Sequence, residues 1–194
     1  MLHPADLAAR LRAALEPDPD VVPAAGDRLA AVLALLVDEE DPSLVFTVRA
    51  PTLSRHPGEV SFPGGLLDLG ETPAEAARRE VGEELGIDPE LPELLGALPP
   101  VHTHVSGVLV VPFVGMLTSL PALSVSEGEI QEVLVAPVRR LAALELPMER
   151  PREDGTIWHG WRYELERHTV WGATGWMLHT LLELLRREAP WATT

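Results

Sequence analysis

The chain has 194 residues, which is room for one domain with at most a decorated end. Hydrophobic residues make up 46% of it, enough for a real core, while 15 basic residues against 30 acidic ones leave a net charge of −15. That balance argues against wrapping nucleic acid or lying on an anionic membrane, both of which need Lys/Arg surfaces, and the lack of Cys removes disulfides, zinc–thiolate sites, iron–sulfur clusters and a Cys nucleophile. A phosphorylated small molecule stays open as a partner, provided a divalent cation neutralises the site. The first twenty residues have no basic region followed by an unbroken apolar run, so they do not read as a signal peptide. Leu29–Val37, the longest clean apolar run, has nine residues, about half of a membrane span. The expectation is a cytoplasmic protein.

Residues 3–16 carry Leu7, Leu11 and Leu15 at helical spacing, with Asp6 as a cap, and PDPD at 17–20 ends that helix. Leu29–Val37 and Ser43–Val48 read as buried strands, an antiparallel pair being one arrangement. Arg49–Gly65 is rich in Pro, Gly, Ser and Arg and reads as a long functional loop with little strand inside it. Thr72–Gly86 carries a full helix signature: Thr72 to cap, Pro73 in the first turn, Ala74, Ala76 and Ala77 to propagate, Gly86 to stop. Leu94–Leu98 and Gly107–Leu117 are strand-like. Ser124–Glu132 is an acidic loop, followed by a short strand Val133–Ala136 and a helix from Pro137 to Ala143. Residues 145–155 read as a polar connector, Thr156–Leu165 as a strand of a hairpin, and Thr174–Glu188 as a closing helix. Strands and helices without a repeating rhythm favour a mixed-sheet sandwich over a doubly wound parallel sheet. The chain is expected to form one domain over 1–194, with its core at about 29–185.

One window holds most of the chemistry. Residues 59–93 contain ten acidic residues and two Arg. Within it stands GLLDLGETPAEAARREVGEELGI, Gly65 to Ile87. On a helix Glu80, Glu83 and Glu84 fall within an arc of about 100°, beside the arc of Val81, Leu85, Ala74 and Ala77 that should face the core. The carboxylates therefore sit at the edge of a buried face, where like charges four apart repel and burial raises their cost. Arg79 cannot neutralise three of them. A divalent cation can, and hard oxygen ligands at i and i+4 suit Mg²⁺ or Mn²⁺ together with substrate phosphates.

The spacing of Gly65, Glu71, Arg79-Glu80-Val81, Glu83-Glu84 and Gly86-Ile87 resembles the signature of the Nudix hydrolases without a mismatch. Nine such positions coincide by chance on the order of once in 10⁷ chains of this length. The resemblance implies the Nudix fold, an α/β/α sandwich around a mixed β-sheet (class α+β), with this segment as loop–helix–loop. It implies Mg²⁺-dependent hydrolysis of a nucleoside diphosphate linked to another group, with Mn²⁺ as a substitute. Glu80 and Glu84 then become metal ligands, Glu83 a further ligand or the base, Arg79 the residue that orients the cluster, and the Gly65 carbonyl a metal contact. Such enzymes place the base on this helix or on a distal loop. In SEGEIQEV, Glu127, Glu129 and Glu132 supply such a loop, Glu129 being the first choice for a distal ligand or base and Glu132 the second.

VFTVRAPTLSRHPGEVSFPGG, Val45 to Gly65, resembles the sequence that marks the coenzyme A pyrophosphatase branch of that family. Thr47, Arg49, Ala50, Gly58 and Phe62-Pro63-Gly64-Gly65 match, whereas the basic position falls on Ser54 with Arg55 one residue late. SGVLVVPFVG and VWGATGWMLHTLL resemble the same branch. The branch implies cleavage of coenzyme A to 3′,5′-ADP and 4′-phosphopantetheine, with Arg49, Arg55 and His56 as phosphate-binding residues, since bidentate Arg receives phosphate well. The alternatives are an ADP-ribose or dinucleotide pyrophosphatase of the same fold, or a catalytically silent Nudix-fold module that senses a nucleotide or binds a protein. His102 and His104 form an HxH without a third zinc ligand at supporting spacing, so they read as pocket or surface residues. Trp171 and Trp176 read as core. Trp158 and Trp161, three apart, should face opposite sides of a strand.

Overall fold

The computed structural model describes residues 4–17, 19–53, 56–103, 107–152 and 155–193. Its centre is built from the two apolar runs, which become β1 (Arg28–Val37) and β2 (Ser43–Arg49). Both are buried over nearly their whole length. That double burial is why they read as unbroken apolar runs and not as alternating ones. β1 runs parallel to β7 (Val108–Leu117) from end to end. On its other edge it pairs antiparallel with β2 over Leu35–Val37 and with β4 (Gly64–Leu66) over Ala30–Val32.

Side chains alternate along a strand, so β1 serves two cores. Ala31, Leu33, Leu35 and Val37 face α2 (Pro73–Leu85), which meets them with Ala76, Ala77, Val81 and Leu85. Ala30, Ala34 and Leu36 face the opposite layer, made by α1 (Pro4–Ala14) with Leu7 and Leu11 and by α4 (Gly172–Glu188) with Met177, Leu178, Leu181, Leu182 and Leu185. The result is the expected α/β/α sandwich around a mixed sheet. β8 (Ile130–Pro137) covers the outer edge of β2, and β3 (Val60–Ser61) pairs with its end. β5 (Glu93–Ala97) and β6 (Val101–Thr103) complete this eight-stranded sheet beyond β7. α3 (Val138–Ala143) leads to a second, three-stranded antiparallel sheet of β9 (Glu145–Pro151), β10 (Ile157–Leu165) and β11 (His168–Val170), with β10 in the middle.

Several sequence expectations change. The connector at 145–155 is largely strand, because β9 pairs along its length with β10. It tolerates Pro147 and Pro151 as a strand bonded on one edge among the described residues. The loop at 49–65 does hold little strand, the two residues of β3 and the start of β4, but the strand placed at 133–136 begins at Ile130. Neither Trp171 nor Trp176 is core. The buried face of α4 runs through Thr174, Met177, Leu178, Leu181 and Leu185, which leaves Trp176 43% exposed. Trp171 is half-buried beneath the Arg150 guanidinium, 5.4 Å from its ring centre. Trp161 stacks on His179 of α4 at 4.0 Å. Among the described residues no helix is long and apolar enough to cross a membrane.

Candidate metal centre

The helix that carries the carboxylates is fixed at both ends. The Thr72 hydroxyl accepts the Glu75 N–H at 3.3 Å, and the Glu75 carboxylate accepts the Thr72 N–H at 2.8 Å. This capping box satisfies two of the helix's unpaired donors. At the other end Gly86 takes φ 68° and returns its N–H to the Gly82 carbonyl at 2.9 Å. The last carbonyls are used too. Ser124 N–H donates to Leu85 at 2.9 Å and Ser126 N–H to Glu84 at 3.0 Å. The acidic loop at 124–129 is thereby laid against the end of α2, next to the residues that the sequence singles out.

Glu84 is 2% exposed. Its Oε2 accepts the Gly64 N–H at 3.2 Å. Glu80, one turn earlier, presses against the neighbouring residue of β4: a Cβ on Gly65 would stand 2.3 Å from Glu80 Oε1. Any larger residue at 65 would push the Glu80 carboxylate from this position. Arg79 gathers the remaining acids. Its Nε donates to Glu71 Oε1 at 2.8 Å, and one terminal nitrogen reaches Glu80 Oε1 at 2.8 Å and Glu83 Oε2 at 2.9 Å. The other terminal nitrogen bonds the Leu66 carbonyl and Glu71 Oε2, both at 3.1 Å. Arg79 is thus a bracket between loop and helix.

The electrostatics divide the acids into two groups. Hydrogen bonds from Arg79 hold Glu71 below the ordinary carboxylate range. Burial raises Glu80 despite the Arg79 hydrogen bond, and the charges of Glu83 and Glu129 add to the rise. Burial and the adjacent Glu80 charge push Glu84 up to about 8, against the opposing pull of the Gly64 N–H and of Arg49. Desolvation and like charge both disfavour the ionised form. Two carboxylates are therefore held together at a place that wants a cation, and their oxygens are the hard donors that Mg²⁺ or Mn²⁺ takes.

The other sequence candidates fall into place unequally. Arg49 ends β2 close enough to act on Glu84. Glu129 is exposed, and its charge bears on both Glu80 and Glu84. Its backbone carbonyl accepts the Ala50 N–H at 2.7 Å, where the β2–β8 register shifts at Arg49. Glu83 lies on the open side of the helix, paired with Arg79. Glu132 is elsewhere: it is opposite in strand alternation to Val133, which packs with the α2 core, and it is bound by Arg167 and His168. His56 pairs with Glu59 of its own loop at 2.9 Å. Arg55, Ser54 and His104 lie outside the described residues. His102 pairs with Asp27 at 2.8 Å. From sequence, Arg79 pairs with Glu75 or Glu83 four positions away; the structure keeps the Glu83 pair, commits Glu75 to the Thr72 cap and makes Glu71, a motif position, the main partner.

A second group able to hold a metal ion consists of Glu145, His179 and Glu183, whose ligand atoms lie within 4.8 Å of one another. The i, i+4 spacing of His179 and Glu183 is the sequence signal for it. Here a cation is already supplied. Arg186 bonds Glu145 and Glu183, both at 2.7 Å, and Tyr163 and His179 bond Glu145 at 2.7 and 2.9 Å.

The sequence model of the NUDIX domain matches residues 27–159. A protein of Enterobacter sp. (strain 638) described as uncharacterized Nudix hydrolase NudL is 37% identical over 159 residues, 79% of this chain and 81% of the relative. The protein of that description from Pectobacterium atrosepticum is 34% identical over 172 residues, 86% and 88% of the two chains. Among solved structures, a MutT/nudix family protein from Enterococcus faecalis aligns with a TM-score of 0.54 at 16% identity, over 87% of this chain and 64% of that one, so this chain spans less than two thirds of it. The NUDIX domain of Shewanella oneidensis NrtR, complexed with ADP ribose, aligns with a TM-score of 0.54 at 15% identity, over 88% and 92%. At these identities the structures bear on the fold alone.

Proposed function

Because the chain belongs to the Nudix hydrolase family, whose substrates are nucleoside diphosphate derivatives, we propose that it hydrolyses the pyrophosphate of coenzyme A to 3′,5′-ADP and 4′-phosphopantetheine with a divalent metal. The observation that carries this reading is the pair Glu80–Glu84, set beside the Gly64–Gly65 backbone with both carboxylates raised from their ordinary value. Glu80 and Glu84 would hold Mg²⁺, or Mn²⁺ in its place, with Glu83 and the Gly65 carbonyl as further ligands. When bound, the ion neutralises diphosphate oxygens and lowers the pKa of the attacking water.

The chain's own residues do the rest. Arg79 locks the acids in one arrangement, so no reorganisation is needed as substrate arrives. Glu129 takes the proton from the attacking water, since its charge already bears on the two ligands while its carboxylate stays exposed. Arg49 receives a phosphate at the end of β2, and Arg55 and His56 are the further phosphate-binding candidates. The coenzyme A assignment is supported by the run Thr47–Gly65, which ends in Phe62-Pro63-Gly64-Gly65 and delivers both the Gly64 amide and the Gly65 close approach.

The test is a substrate comparison with purified protein and Mg²⁺. Release of phosphopantetheine from coenzyme A should outpace cleavage of ADP-ribose. The reverse order rejects the branch and leaves a pyrophosphatase of the same fold. No cleavage of either, with nucleotide still bound, makes the chain a sensing module.

A further inference from the structure

We propose that Glu132, Arg167 and His168 form a clasp through which the second sheet positions Glu129. This deepens the reading above and rests on the role given there to Glu129. The turn between β10 and β11 is two residues long, since Leu165 pairs with His168. Its first residue, Glu166, takes φ 55°, a conformation that such a turn normally reserves for glycine. The tip is nevertheless held, by partners on β8 and on α3 directly after it. Arg167 donates to both oxygens of Glu132 at 2.8 Å, a bidentate pair. His168 reaches Glu132 Oε2 at 3.0 Å with only 13% of its side chain exposed. Arg140 reaches Glu166 at 3.4 Å.

Glu132 is well placed to transmit this grip. It pairs with Val48, the residue before Arg49. Three residues upstream of it is Glu129. Between them the Ile130 N–H returns to the Ser126 carbonyl at 2.8 Å, and Ser126 is bonded to Glu84. β11 also lies against β3, which pairs with the other edge of β2. The hairpin therefore grips both flanks of the strand end that carries Arg49. Hydrogen bonds from Arg167 and His168 hold Glu132 ionised. Its carboxylate is committed to the clasp, and Glu132 acts as a positioning residue while the proton goes to Glu129.

A double-mutant cycle tests this, read as kcat and KM with Mg²⁺. Glu132→Ala should lower kcat about tenfold, since an ångström of misplacement is costly to catalysis, and leave KM within about twofold. In a Glu129→Gln background the same change should do nothing further. Arg167→Ala, at a side chain 74% exposed and so harmless to folding, should repeat the pattern if Glu132→Ala fails to fold. An equal loss of kcat in both backgrounds overturns the clasp alone, and so does an unchanged kcat in both single clasp variants. Full activity of Glu129→Gln overturns the role of Glu129 and the clasp with it.

Discussion

Two carboxylates of this protein are taken almost wholly out of water, and they meet opposite fates. Glu145, 10% exposed at its side chain, opens β9 and pairs with His179 and Arg186 of α4. Burial would raise it, but hydrogen bonds from Tyr163, His179 and Arg186 outweigh that and hold it below the ordinary range. Glu84, 2% exposed, has the Gly64 amide and a like-charged neighbour, and it rises to about 8. The first site is complete within the chain. The second has no such set of donors among its described partners, and the proposed function assigns the missing charge to a metal ion.

The contrast breaks first under substitution. Glu84→Gln removes a metal ligand and relieves repulsion from Glu80. Its kcat should fall by about 10³-fold or more, an effect of about 4 kcal/mol on the barrier, while the melting temperature holds or rises. Retention of full activity would end the metal assignment. Glu145→Ala should do the reverse. Breaking a buried pair by removing one partner costs about 3–5 kcal/mol, and the low end applies because Arg186 is 32% exposed and keeps Glu183. A loss of about 3 kcal/mol in a chain of this size lowers the melting temperature by roughly 6–12 °C, with metal affinity unchanged. If Glu145→Ala abolishes metal binding instead, the second cluster is the metal centre.

Titration sharpens the same comparison. Between 4.5, the ordinary value, and about 8, folded Glu84 holds a proton that the unfolded chain has released. Stability of the metal-free protein therefore falls as pH rises through that window, and Glu80 contributes with the same sign. Glu145 works in the opposite direction: its depressed value adds stability above the ordinary range, which is lost as pH falls. In chelator-treated protein, melting followed from pH 5 to 8 should show stability declining across that range. Saturating Mg²⁺ should remove that decline, because the ion displaces the proton, and 100 Kd of it adds about 2.7 kcal/mol. A metal-free protein whose stability climbs steadily to pH 8 would contradict the raised carboxylates.

The two sites also differ in how far the sequence reveals them. What the sequence reveals around Glu84 is its helix: Thr72, Pro73 and Gly86 set the ends of α2 and the 3.6-residue period sets the arc, whereas the fold brings in the Gly64 amide, 20 positions away, and the Arg49 charge. Strands β1 and β2 are as plain, because double burial makes them uninterrupted. Glu145 has no such signal. Its strand is polar and holds two prolines, its partners lie 18 to 41 positions away, and only the pairing of β9 with β10 brings them together. The same limit hid the commitment of Glu132, whose neighbours in sequence resemble a catalytic loop while its partners come from a hairpin 35 residues on. Trp176 departs from expectation for another reason: its place at the start of the last helix reads as core, but the phase of α4 turns it outward.

The smallest expected effect concerns how rigidly the two helices are held. α2 carries a reciprocal capping box, whereas α4 begins at Trp171 with no side-chain cap. Thr72→Ala should cost about 1 kcal/mol, a shift of roughly 2–4 °C. Its meaning depends on what else moves. Thr72 stands one residue from Glu71, the principal anchor of Arg79, and Glu75 bonds back to it. If the cap serves stability alone, kcat and metal affinity stay near those of the parent protein, because Arg79 still bridges Glu71, Glu80 and Glu83. A tenfold fall in kcat at that small thermal shift would mean that the first turn of α2 sets the register of the carboxylates, and the bracket formed by Arg79 would not suffice to keep Glu80 and Glu84 in place.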